Sequence, residues 1–236
     1  MKYPKIHSLW KRQGWYLEKG KKNNPAYQSG RQSFIVGDYA IPEFGNIKTW
    51  LVQEKIDGIN IRIEYCRERV IRGNDLCTIL SLEFSGRTEE AILPHPLDDI
   101  LFDHFTHVLL EQVFPLELDK IKKEVILFGE GYGSRIQKGG GNYRKDQSFI
   151  LFDVYVDGWW LKQDDVKKIA DKLGISYAPI IGIMTEDEIA AYVKSKPLSL
   201  CSVIPQVMEG IIARPEQLLL LRNGEPLMMK LKCKEF

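Results

Sequence analysis

The sequence is short of the features that usually announce a protein's class, and each shortage excludes something. Its four cysteines, Cys66, Cys77, Cys201 and Cys233, are scattered and form no C-x-x-C pair. Such spacing argues against a disulfide framework or a zinc site and suits a reducing cytoplasm. No apolar run approaches the roughly 20 residues that cross a bilayer. The opening stretch MKYPKIHSLWKRQGW lacks the apolar core of a secretory signal. A soluble cytoplasmic protein with no membrane partner is expected. Charge of one sign is missing too: 33 Lys and Arg against 32 Asp and Glu leave a formal net charge of +1. Nucleic acid is therefore not announced by a global basic excess, though a local basic groove can hold a phosphate backbone while acidic surface cancels the sum. Internal repeats and low-complexity segments are also lacking. At 236 residues, 44% hydrophobic and 28% charged, the chain has room for one large domain, with or without a small appendage.

What is present is mostly strand. Residues 1–48 are rich in aromatics, Lys and Gly with weak periodicity, and read as a lead-in packed on the domain that follows. From Thr49 the pattern turns extended. In INIRIEY (59–65), Ile59, Ile61, Ile63 and Tyr65 face one way and Asn60, Arg62 and Glu64 the other. VILF (125–128) and SFILFDVYV (148–156) read as buried strands. Residues 98–114 suit one helix, with Leu101, Phe105, Val108 and Leu109 at helical spacing. A second helix spans 165–173 with Asp164 as N-cap and Gly174 as stop, and a third starts at Thr185 with a capping box closed by Glu188. The end of the chain is extended again: VMEGIIAR (207–214), then LLLLR (218–222) and PLMMKLK (226–232) flanking an Asn223-Gly224 turn. Without β-α-β alternation throughout, the expected class is α+β, mainly antiparallel sheets flanked by helices.

Chemistry is concentrated in a few short stretches. Glu54-Lys55-Ile56-Asp57-Gly58 alone reads as a hairpin turn with a solvated lysine at its shoulder. It is followed in order by FSGR (84–87), FGEGYG (128–133), FILFDVYV (149–156), MEGIIARP (208–215) and MKLK (229–232). Lys230 and Lys232, two apart on a strand, project from one face. Glu209 sits in an apolar stretch, where an unpaired carboxylate is costly, so a metal or a lysine must relieve it. G-E-G-Y-G is no dinucleotide fingerprint, because no helix pattern opens after it. His104 and His107, three apart on one helix, have no third ligand nearby and read as packing, as does Cys233.

That ordered set resembles the nucleotidyltransferase motifs of ATP-dependent DNA and RNA ligases and mRNA capping enzymes. With GYGSRIQKGGGNYRKDQSFILFDV (131–154) and the terminal K-x-K-x-x-x-F, the likeness is to the RNA ligase 2 family, over about residues 50–236. The resemblance implies a nucleotidyltransferase (ATP-grasp-like ligase) domain over 49–236, with neither an OB-fold nor the family's smaller C-terminal domain. Lys55 is then the nucleophile, taking AMP from ATP as a lysyl phosphoramidate. The AMP passes to a 5′-phosphate end, and a 3′-hydroxyl displaces it. Lys230 and Lys232 perturb Lys55 and neutralise the α-phosphate, while Glu209 binds the divalent metal, Mg²⁺ or Mn²⁺. An amine with a reference pKa of ~10.4 pays ~4 kcal/mol to be neutral near pH 7.4, and neighbouring cations reduce that cost. Nucleotide contacts fall to Glu54, Ile56, Asn60, Arg87, Glu130 (ribose), Phe152 (stacked on adenine) and Ile211 (the opposite wall). The partners are ATP and nucleic acid, as RNA ends or a nicked duplex, with residues 133–145 as a backbone grip or a mobile surface loop. Competent self-adenylation or sealing of a pre-adenylated end is expected, with full ligation from a plain 5′-phosphate weaker or dependent on the lead-in. Asp57 stands where the family's type enzyme has histidine, which leaves RNA-versus-DNA preference open. Two alternatives remain: a GTP-using capping-type guanylyltransferase, and a nucleotide- or RNA-binding protein of the same fold that does not ligate.

Overall fold

The computed structural model describes residues 1–12, 34–88 and 91–236; the part of the lead-in at 13–33 lies outside the described residues. Its strands and helices, in chain order, are β1 (His7–Ser8), β2 (Trp10–Arg12), β3 (Phe34–Tyr39), β4 (Trp50–Lys55), β5 (Ile59–Arg72), β6 (Asp75–Ser85), α1 (Leu97–His104), α2 (His107–Val113), β7 (Lys122–Gly133), α3 (Gly140–Tyr143), β8 (Gln147–Val156), β9 (Trp159–Trp160), α4 (Gln163–Leu173), β10 (Ser176–Tyr177), β11 (Ile180–Met184), α5 (Glu186–Lys194), β12 (Gly210–Arg214) and β13 (Met229–Lys232). Two compact units share them. One comprises Met1–Tyr3, Ile56–Ala178 and Cys201–Ile204; the other comprises Pro4–Lys55, Pro179–Leu200 and Pro205–Phe236. The fold is mixed α and β with largely antiparallel sheets and few helices.

The first unit is built on a six-stranded sheet in the order β10-β8-β7-β5-β6, with β9 paired to β8. Only β10 runs parallel to its neighbour. The alternation in 59–65 does its work here: Ile61, Ile63 and Tyr65 enter a core with Leu97, Leu101, Phe105, Leu127, Leu151 and Val166, supplied by β7, β8 and the helices. Arg62, on the other side, is also buried, paired to Glu64 and donating to the Met1 carbonyl oxygen at 2.8 Å. The helix expected over 98–114 is two helices. Thr106 adopts an extended backbone and accepts from the Leu109 N–H at 3.2 Å, which caps α2 and ends α1 at the preceding core residue Phe105. The break turns Val108 to solvent, 67% exposed, against the expected core role. Asp164 is not the cap of α4; Lys162 is, because Gln163 is drawn into the first turn by bonds to Asp153 and Tyr177. Asp164 instead sits in that turn, favourable to the helix dipole, and Gly174 stops the helix in the left-handed region at φ 65°.

The second unit carries a five-stranded sheet, β1-β13-β12-β4-β11, antiparallel except where β1 lies parallel to β13. Its core gathers Trp10, Phe44, Trp50, Val52, Ile189, Ile211, Met229 and Leu231. Thr185 caps α5 with the expected box, its N–H donating to Glu188 at 2.8 Å. Asn223-Gly224 turns the chain, with Gly224 at φ 80°, but 218–222 contributes only a bridge from Leu220 to Pro226. The strand expected over 207–214 starts at Gly210, so Glu209 stands one residue before it. Asp57-Gly58 is likewise no hairpin turn: Lys55 ends a strand of one sheet, and Ile59 opens a strand of the other.

Candidate active site

In the second unit, three strands distant in sequence are made neighbours by register. Lys55 on β4 lies opposite Gly210 on β12, and Gly210 opposite Lys232 on β13; two residues along, Gln53, Ile212 and Lys230 form the next row on the same side. Residues opposite one another in a ladder project to the same side, and same-side positions recur every two residues. Lys55, Lys230 and Lys232 therefore share one face. Gly210 allows the strands to close up there: a Cβ on it would lie 2.1 Å from the Leu231 carbonyl oxygen.

Glu209 completes the group. The Cys233 N–H donates to its backbone carbonyl at 2.9 Å, which fixes it beside Lys232. One carboxylate oxygen accepts from Lys55 and the other from Lys232 at 2.6 Å. Burial opposes ionisation of this carboxyl, but Lys55 and Lys232 outweigh it and hold its pKa below the ordinary value. Lys230 moves in the matching direction. Burial, then the charges of Lys232 and Lys55, pull its ammonium below the usual lysine value. The arrangement is a cationic surface organised on one ionised carboxylate. Both Glu209 oxygens are held by ammonium groups, so a divalent cation at this carboxylate would share it with Lys55 and Lys232; Mg²⁺, which keeps most of its waters, needs only one or two carboxylates.

The opposite face corrects two sequence assignments. Ile211 is fully buried among Val52, Met229 and Leu231, so it cannot wall a nucleotide on the lysine face; Ile212, partly exposed, is the residue there. Glu54 is 2% exposed and turned away from Lys55, accepting from the Ser199 hydroxyl and, at 2.8 Å, from the Leu200 N–H. Burial raises its pKa, and those two bonds only moderate the rise. Its side chain anchors the 199–200 segment to β4.

In the first unit, Asn60 on β5 lies opposite Glu130 on β7, and Glu130 opposite Ile150 on β8, so all three share a face. Phe152 joins them through an irregularity. Phe128 pairs with Asp153 and Gly129 with Leu151, leaving Phe152 as the extra residue of a bulge. The bulge aims its ring at the Ile150 side, into a cluster with Ile56, Tyr132, Tyr143 and Ala178. Tyr3 packs edge-on against it, centroids 5.0 Å apart. Gly58 lies against the same neighbourhood: a Cβ there would meet the Gly131 carbonyl oxygen at 2.2 Å and Glu130 Cγ at 2.7 Å. Arg87 is exposed in the turn after β6; its neighbour Gly86 lies near the Asn60 carbonyl, where an added Cβ would sit 3.7 Å away.

The stretch 133–145 has a structural task that sequence reasoning missed. Tyr143 is buried, and its hydroxyl accepts from the Asp57 N–H at 3.2 Å; Gln137 donates to the Gly58 carbonyl at 3.1 Å. Both grip the K-x-D-G turn. A lone aromatic in G-G-G-N-Y-R was the available signal. His104 is tied to the fold through its Nε2, 2.8 Å from the Leu173 carbonyl, which can only accept.

No curated protein sequence matches the chain. Solved structures of Naegleria gruberi RNA ligase are similar to it in fold. One variant with ATP and Mn is 18% identical, with 81% of this chain and 52% of that chain covered at a TM-score of 0.54. A second variant with ATP and Mn is 18% identical, covering 80% and 52% at 0.52. An apo variant is 18% identical, covering 78% and 49% at 0.51. The chain thus spans about half the length of the structures it matches. The family described as RNA ligase matches residues 48–232. Covering most of the sequence, and including Lys55, Glu209, Lys230 and Lys232, that match shows that the chain belongs to the RNA ligase family.

Proposed function

We propose that the chain is the nucleotidyltransferase (ATP-grasp-like) part of an ATP-dependent RNA ligase, acting on RNA ends or a nicked duplex. The observation that carries this reading is the shared face of Lys55, Lys230 and Lys232 around the ionised Glu209. A protein that only binds RNA has no use for a carboxylate buried to organise amines. The Lys55 amine gives up a proton and forms a P–N bond to the α-phosphorus of ATP, and the bond to pyrophosphate breaks. Lys230 and Lys232 offset the charge gathering on the phosphate oxygens. Glu209 would hold the Mg²⁺ or Mn²⁺, which supplies further charge neutralisation. Asn60, Glu130 and Phe152 keep the proposed roles toward ribose and base, Arg87 and Ile56 toward the nucleotide. The neighbours with ATP and Mn support the choice of nucleotide and metal. The AMP then passes to a 5′-phosphate, and a 3′-hydroxyl displaces it.

Purified protein is incubated with ATP and Mg²⁺, and peptides are mapped by mass spectrometry. AMP on the peptide carrying Lys55, absent in Lys55→Ala, is the expected result. GTP in place of ATP is expected to leave no adduct, and a preference for GTP turns the reading to capping chemistry. An unmodified Lys55 with either nucleotide ends the ligase reading.

A further inference from the structure

The first unit has a cavity of about 440 Å³ lined by Tyr132, Tyr143, Arg144, Lys145, Cys201, Ile204 and their neighbours, none of which the adenylation chemistry uses. We propose that it seats one unpaired ribonucleotide of the RNA strand, the base in the pocket and its phosphate on Lys145. This rests on the ligase reading, and it adds a site to it.

Chemistry selects the ligand. The volume falls in the range of small-molecule sites, roughly 300–1,000 Å³. Its floor is aromatic and its margin aliphatic: Tyr132 and Tyr143, 5% and 3% exposed, meet edge to face at 5.9 Å, and Val203 and Ile204 stand 80% and 51% exposed at the margin. Such a surface takes a flat, largely apolar group, and a nucleobase offers a face that aromatic side chains accept whatever its identity. Arg144 lies over the Tyr132 ring at 5.8 Å and is already neutralised by Asp146, at 2.7 and 2.8 Å, so it acts as wall. Lys145 is exposed on the lining, and Arg135 and Lys138 are exposed on the same loop. On the lining itself Lys145 stands beside the mutually paired Arg144 and Asp146, a cation next to an apolar wall, the complement of a base attached to a phosphodiester. The wall is continuous with the chemistry-bearing turn: Tyr143 accepts from the Asp57 N–H, two residues beyond Lys55. Its position is pinned from the other side, where Val203 and Ile204 donate to the Tyr143 and Asn142 carbonyls at 3.3 and 2.9 Å. A base in the pocket therefore touches residues that hold the nucleophile's own loop.

The test uses the full chain, ATP, Mg²⁺ and a short oligoribonucleotide bearing 4-thiouridine. Ultraviolet crosslinks are mapped by mass spectrometry, and lysyl-AMP is scored in the same sample. Crosslinks to the peptides carrying Tyr132, Tyr143 or Cys201 are expected. Val203→Asp and Lys145→Glu, which alter exposed side chains and are checked for folding by thermal melting, are expected to weaken RNA binding by roughly tenfold each. Lysyl-AMP with crosslinks only elsewhere, or with unweakened variants, overturns the pocket while leaving the ligase reading standing. Missing lysyl-AMP brings down the ligase reading, and the RNA assignment of the pocket with it.

Discussion

The two sheets put similar raw material to different uses. On the five-stranded sheet, the face bearing Lys55, Lys230 and Lys232 is organised by charge, with strand register fixing three amines around Glu209. On the six-stranded sheet, the face bearing Asn60, Glu130, Ile150 and Phe152 is organised by shape: a bulge in β8 and a backbone approach at Gly58 place a carboxylate and a ring among apolar neighbours. The difference teaches which losses should be steep. Charge developed in a transition state is sensitive to each charged group, whereas a binding wall loses a contact at a time.

The steepest loss is therefore expected on the lysine face. Lys232→Ala is expected to slow Lys55 adenylation by roughly a hundred- to a thousandfold, measured as single-turnover lysyl-AMP formation. It removes both a phosphate neutraliser and one of the two cations that keep Glu209 ionised. Lys230→Ala is expected to fall in the same range, and Lys230→Arg adds a pH signature. Lys230 must be protonated to offset phosphate charge, and burial with two neighbouring cations has lowered its pKa. As pH rises, wild-type activity is lost below the ordinary lysine value; guanidinium stays charged there, so the Arg variant's falling limb moves to higher pH. A limb that stays where it is would assign it to another group. If both Ala variants adenylate at the wild-type rate, this face is not organised for catalysis.

On the aromatic face the expected loss is smaller and of another kind. Phe152→Ala is expected to raise the KM for ATP by about tenfold, in keeping with ~1–3 kcal/mol for one base–aromatic stack, with kcat changed much less. An equal fall in kcat and kcat/KM would erase the contrast between the two sheets. Here the sequence was informative in an uneven way. The shared side of Lys230 and Lys232 and the lysine partners of Glu209 were legible, from strand spacing and from the cost of an unpaired carboxylate, and the alternation in 59–65 set Asn60 on the side away from the core. Ile211 and Glu54 lie opposite one another on the buried side of the sheet, which the order of motifs does not record. The break at Thr106 and the grip of Tyr143 on Asp57 arise from side chains bonding backbone, which periodicity does not record.

The smallest effect compares two carboxylates of one sheet, Glu54 and Glu209, both shielded from water. Glu209 has two lysines, and its folded pKa lies below its unfolded one. Its contribution to stability is present above the unfolded value and is lost as pH falls through the lowered one. Glu54 has only a hydroxyl and an N–H, and burial raises its folded pKa. Its contribution is full below the unfolded value and drains away as pH rises through the raised one. Glu54→Gln removes that second dependence without emptying the site, since the Ser199 hydroxyl can turn to accept from the amide. Thermal melts across a pH series should show wild type losing stability, relative to Glu54→Gln, as pH climbs above the usual carboxylate range. Glu209→Gln should diverge from wild type in the reverse sense, being relatively weaker at neutral pH and converging with it in acid. Parallel melting curves for all three proteins would mean that the lysines, for all their proximity, do not distinguish the two carboxyls.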